Sequence, residues 1–134
     1  MAIEKALCTI LGRADAVTNI AGSRISPLVI SAGVALPALV YQQVGGPRDH
    51  VTSGPSGLVE SRFQITCWAE TYKKADELAA AVRQTLDGYS GIIDSVVIKV
   101  IHLLDEADMP GTRPDNKALS RYGRRLDFQI WHKE

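Results

Sequence analysis

The sequence predicts an α+β fold: an antiparallel or mixed sheet of about four strands with helices packed on one face, in the order α-β-β-α-β-β. Three observations carry this. Leu58–Trp68 and Tyr122–His132 alternate apolar and polar side chains at the two-residue period of a half-buried strand. Tyr72–Leu86 instead repeats its apolar residues at helical spacing. The connections between extended segments are rich in Gly and Pro, as hairpin-like loops are, and such connections favour antiparallel pairing with the helices to one side.

The elements follow in order. Ile3, Leu7, Ile10 and Leu11 recur at helical spacing, and Gly12 can end that helix. Asp15 starts a short second helical turn carrying Val17 and Ile20, closed by Gly22. Arg24–Leu36 contains Pro27 and Gly33 and reads as an irregular connection with a short extended piece at Leu28–Ile30. The first clear strand is Ala38–Val44, with Leu39 and Tyr41 on one face. Gly45–Gly57 is a loop, dense in turn residues and longer than a tight hairpin; loops of that length are usually functional or mobile. In the second strand Phe63, Ile65 and Cys67 point one way and Arg62, Gln64 and Thr66 the other.

Thr71 is placed to cap the helix that follows, and Gly88 to stop it. Ala75, Leu78, Ala79, Val82 and Leu86 form the apolar stripe of that helix, opposite Lys73, Lys74, Asp76, Glu77 and Arg83. Ile92–Leu104 is β-rich. Val96, Ile98 and Val100 share one face and Val97, Ile101 and Leu103 the other, the pattern of a strand covered on both sides. Asp105–Ser120 reads as a polar connection. The last strand turns Leu126, Phe128 and Ile130 inward and Arg125, Asp127, Gln129 and Trp131 outward.

The length of 134 residues fits one domain, residues 1–134, able to bury roughly two-thirds of its unfolded surface without disulfides or metals. Fifteen basic residues balance fifteen acidic ones, which argues against bulk electrostatic binding of nucleic acid. Cys8 and Cys67 lie in apolar periodic segments and read as buried, reduced thiols of a cytosolic protein. Glu4 and Lys5 interrupt the apolar run a signal peptide would need, and no stretch approaches a membrane span.

No catalytic chemistry emerges. Gly45-Gly46-Pro47 lacks the lysine and the strand-to-helix setting of a phosphate loop. His50, His102 and His132 show no metal-ligand spacing with either cysteine, and His102 and His132 fit structural positions near strand ends. Asp105, Glu106 and Asp108 lack a calcium-loop pattern and read as a solvated loop. No serine or cysteine sits in a nucleophile elbow. The expectation is a protein that is not an enzyme and holds no cofactor or metal.

The outward face with Arg62, Gln64, Trp68, Gln129 and Trp131 is too polar for a core yet carries both tryptophans, a composition that marks interfaces. The two tryptophans are expected near one another across the sheet. Arg113, Lys117, Arg121, Arg124 and Arg125 face a single acid, Asp115, in the segment 113–125. Three readings stand: a strand edge guarded by charge, an intersubunit or neck contact meeting an acidic patch such as Asp105–Asp108, or a surface past which DNA runs. The candidate interface therefore comprises Arg48, Asp49, His50, Arg62, Trp68, Arg113, Arg121, Arg124, Arg125 and Trp131.

Several passages in this order resemble the tail-completion, or tail-terminator, family of siphophages. They are Leu36-Pro37-Ala38-Leu39-Val40-Tyr41, Gly46-Pro47-Arg48-Asp49 followed by Gly54-Pro55-Ser56-Gly57-Leu58, Arg62 through Ala69, Tyr72 through Leu86 with Gly88, and Arg124 through Trp131. The resemblance spans nearly the whole chain. It implies a structural virion protein assembled in the host cytoplasm and resident in the tail or neck. It implies a homo-oligomeric ring, commonly a hexamer, which caps the head-proximal end of a phage, prophage or gene-transfer-agent tail. Its partners would be the tail-tube protein and the head-connector or stopper protein, with DNA only passing through the lumen and no membrane involved. The alternative is a small-molecule-binding or enzymatic α+β domain, which a deep apolar pocket with converging polar groups would favour.

Overall fold

A computed structural model describes residues 2–22, 24–27, 37–44, 58–93, 95–109 and 122–133. Its elements are α1 (Ala2–Arg13), α2 (Asp15–Ala21), β1 (Ile25–Pro27), β2 (Ala38–Gln43), β3 (Leu58–Ala69), α3 (Tyr72–Leu86), β4 (Gly91–Ile93), β5 (Val96–Met109) and β6 (Tyr122–Lys133). The fold is α+β, but among the described residues the sheet has six strands where about four were expected, in the order β1-β2-β3-β6-β5-β4. β1 runs parallel to β2 and the other pairs are antiparallel, so the sheet is mixed. The two unanticipated strands, β1 and β4, are three residues each, too short for alternation to register. The expected extended piece at Leu28–Ile30 lies outside the described residues.

β3 and β6 form the spine. They pair from Leu58↔Lys133 to Ala69↔Tyr122, the full length of both strands. One face of the spine, with Phe63, Ile65, Cys67, Leu126, Phe128 and Ile130, is fully buried. α1 contributes Ile3, Leu7, Ile10 and Leu11, α2 contributes Val17, and α3 contributes Leu78, Val82 and Leu86 to the same cluster. These side chains supply most of the burial that drives folding.

Capping chemistry fixes α3 where the sequence puts it. Thr71 is extended and its side chain accepts from the Lys74 amide at 3.2 Å. At the other end Gly88 takes a φ of 84°, which a side chain would resist, and its amide donates to the Ile101 carbonyl at 2.7 Å. The Tyr89 carbonyl then accepts from the Ile101 amide at 3.1 Å. The helix exit is thus stitched to β5.

The reading of Ile92–Leu104 as one strand is corrected. The chain reverses at Ser95, with φ 72°, between β4 and β5. The expected connection Asp105–Ser120 also begins too early, since Asp105–Met109 belong to β5. The pairing of β5 with β6 shifts register between Ile98 and Val100 and again between Leu103 and Asp105. Each extra residue flips which side chains face the core. Ile98 and Ile101, assigned to opposite faces by simple alternation, therefore lie on the same buried face. His102, expected near a strand end, stands mid-strand and exposed.

Candidate assembly interface

The face of the sheet away from the helices is built in cross-strand rows. Ala38, Trp68, Gly123 and Met109 form one row, followed by Val40, Thr66, Arg125 and Ala107. Gln42, Gln64, Asp127 and Asp105 come next, and then Arg62, Gln129 and His102. Glu60, Trp131 and Val100 complete the series. Small and apolar groups hold one end of the face and charged groups the middle.

At the first end Trp68 lies across Gly123. A Cβ built on Gly123 would meet the indole ring at 2.7 Å, so glycine leaves the space the ring occupies. Ala38, Val40 and Thr66 are buried around it. At the other end Trp131 Nε1 donates to Gln129 Oε1 at 3.2 Å, and Gln129 Nε2 donates to Glu60. Arg62 Nε donates to the same Glu60 carboxylate at 3.2 Å. One polar chain thus joins Arg62 to Trp131.

The two tryptophans share the face but are not neighbours, which corrects the expectation. Trp68 pairs with Gly123 and Trp131 with Glu60. Positions 123 and 131 are eight steps apart along β6, roughly 26 Å along a strand.

Arg124 and Arg125 also differ from expectation. They lie on β6, a central strand, so they guard no edge. Successive strand residues alternate, and the two point to opposite faces. Arg124 stands on the helix face at the start of α3. Its Nε donates to Glu106 Oε2 at 2.8 Å, and its Nη1 lies 3.1 Å from Asp108, 3.4 Å from Asp76 and 3.3 Å from the Tyr72 hydroxyl. Arg83 of α3 reaches the same Glu106 at 3.0 Å, and the Tyr72 hydroxyl donates to Asp108 at 3.2 Å. Partial burial pulls the guanidinium pKa down, but the hydrogen bond and charge of Glu106, with Asp108 and Tyr72, outweigh it and hold Arg124 above its ordinary value. Arg125, on the outer face, pairs with Asp105 at 3.1 Å and approaches Asp127 at 3.8 Å. The acidic patch expected to await a neighbouring subunit is therefore engaged within its own chain.

Burial drives the pKa of Cys67 upward, the charge of Glu106 adds to this, and Arg124 opposes it. Cys8 is only half-buried, against the expectation of burial, and its hydrogen bond with Tyr41 is the largest cause pushing that phenol up to about 12. On the helix face Ser61 and His132, both buried, hydrogen-bond at 2.8 Å. Among the described residues no group of three or more His, Cys, Asp or Glu could hold a metal ion, and no helix is long and apolar enough to cross a membrane.

Of the ten candidate residues, Arg62 and Trp131 come together and Trp68, Arg124 and Arg125 take separate environments. Arg48, Asp49, His50, Arg113 and Arg121 lie outside the described residues. Glu106, Asp76 and Tyr72 were missed as parts of one cluster. The available signal was symmetry about the β5–β6 connection, which sets Asp108 opposite Arg124.

The model of a protein family, Tail completion protein gp17, matches residues 5–133. The chain belongs to this family. As a tail-completion family member it is a structural protein of the phage tail. Among solved structures, the tail-completion chain is similar to a chain of the virion of a native gene transfer agent particle. The two are 13% identical, with 98% of this chain and 95% of that chain covered and a TM-score of 0.75. That likeness establishes the shared fold. Among curated proteins none matches.

Proposed function

We propose that residues 1–134 act as one domain that assembles into a ring, a hexamer, on the head-proximal end of the tail. The ring ends tube growth by covering the surface that would recruit the next tube subunit. Its opposite side docks the head connector or stopper, and DNA passes through the lumen. The observation that carries this reading is the family match over residues 5–133. The gene-transfer-agent neighbour, a virion component with the same fold, supports it.

The geometry suits a two-sided adaptor. β3 and β6 are twelve residues each and pair throughout, roughly 40 Å of sheet. The chain leaves β2 and re-enters at Leu58 at one end of this spine, and leaves Met109 to re-enter at Tyr122 at the other. The described strands thus break off at opposite ends of the spine, Gln43 and Leu58 at one and Met109 and Tyr122 at the other. Zero net charge does little to oppose self-association.

The test is assembly itself. Purified protein, alone or with tail tubes, should give a discrete oligomer by light scattering. Particles made without it should show tails of uncontrolled length or tails unjoined to heads by electron microscopy. A protein that stays monomeric with tubes present, or normal particles in its absence, would overturn the reading.

A further inference from the structure

The margins of the sheet are not equally closed. β1 ends in Pro27, which has no amide proton, so pairing at that margin would have to run along β2 beyond it. At the other margin β4 covers β5 only over Val96–Ile98. Beyond it the Gly88 and Tyr89 backbone satisfies Ile101, and the Asp87 side chain accepts from the Leu103 amide at 3.1 Å. From Leu104 to Met109 no described residue pairs with that side of β5. The outward amides of Ile101 and Leu103, with one residue inserted at Leu104, set the phase, so the next outward backbone groups are those of Glu106 and Asp108.

Proteins usually protect such an edge with charge. Here the charges are engaged elsewhere. Asp105 is held by Arg125 on one face, and Glu106 and Asp108 by Arg124 on the other. Leu104, at the bulge, is 47% exposed. The acids lie above and below the hydrogen-bonding edge rather than across it.

We propose that the Leu104–Met109 edge of β5 receives a strand from a second copy of this chain, through that copy's opposite margin at β1–β2. The inference rests on the ring reading. Joining β5 to β5 would make a two-fold contact that stops at a dimer. Joining one margin to the other is head-to-tail and closes by rotation into a ring. The opposite margin can take part because, among the described residues, β1 pairs only with Leu39–Tyr41 of β2 and none pairs with that side of Gln42 and Gln43. The sheets of neighbouring subunits would then be continuous around the ring.

The experiment compares dilute monomer with assembled protein by amide hydrogen exchange, alongside the variant Leu104→Lys. Expected are about tenfold slower exchange over residues 104–109 on assembly, and weaker assembly of Leu104→Lys with unchanged circular dichroism and melting. An assembled ring with unprotected 104–109 overturns this inference and leaves the ring reading intact. Protection in a species that stops at a dimer, or only on addition of another tail protein, also overturns it. A protein that never assembles, with or without tubes, removes both. Should Leu104→Lys not fold, the exchange measurement on the unaltered protein decides alone.

Discussion

The two ends of the β3–β6 spine hold the same residue type on the same face in opposite circumstances. At one end Trp68 fills the space Gly123 leaves, among buried Ala38, Val40 and Thr66. Directly behind it, on the helix face, Cys67 pairs with Arg124, the hub that ties α3 to β5 and β6. At the other end Trp131 is held by Gln129 and joined through Glu60 to exposed Arg62. The first tryptophan is a structural wedge; the second is a presented group on a polar mount. A tryptophan on a half-polar face is thus not by itself an interface residue: the row in which it stands decides.

The comparison predicts unequal costs. Trp68→Ala should destabilise the subunit by about 3 kcal/mol, near the lower end for truncating a packed aromatic. Chemical denaturation checks this; a loss under about 1 kcal/mol would make both ends alike. Gly123→Ala should cost about 2 kcal/mol by overpacking against the indole, and Gly123→Ala combined with Trp68→Ala should cost less than the sum of the two, because the clash is gone.

Arg124→Leu should cost about 1–2 kcal/mol, since Glu106, only 16% exposed, loses its shortest partner and keeps Arg83. Thermal melting of this variant against Glu106→Gln checks it, and equal losses in the double variant would identify one shared contact. Cys67 tests the same end by pH. Its folded pKa is raised above the ordinary 9.0, so the folded thiol keeps its proton where the unfolded one ionises. Stability is complete below pH 9 and falls above it by about 1.4 kcal/mol per pH unit for that group. Cys67→Ala should remove this part of the alkaline slope in denaturation measured between pH 8 and pH 10.

The smallest effect on stability is expected at the far end. Trp131→Ala should change melting by less than about 1 kcal/mol yet reduce assembly in light scattering. A large loss of stability with normal assembly would reverse the roles of the two ends.

The sequence made some of this legible and hid the rest for physical reasons. α3 was readable to the residue because its stripe, its Thr71 cap and its Gly88 stop agree. β3 and β6 were readable because each buries alternate residues without interruption. β5 was not, because its bulges change parity twice and its outer half carries acids that resemble a loop. Pairing was hidden as well: alternation puts both tryptophans on one face but says nothing of register, so their separation along β6 and the Arg124–Glu106 contact required the hairpin alignment. The Gly123 space for Trp68 had no sequence signal apart from the glycine itself.

The place of β6 in the sheet bears on how the subunit comes to exist. It is synthesised after the other five strands, yet it lies between β3 and β5. Until it emerges, β3 and β5 each keep open the strand edge that β6 will occupy. Joining them requires contacts between β3 and β6 across more than fifty residues of chain, the kind of long-range pairing that slows folding in general. The sheet therefore cannot be completed before the last strand of the chain has been made.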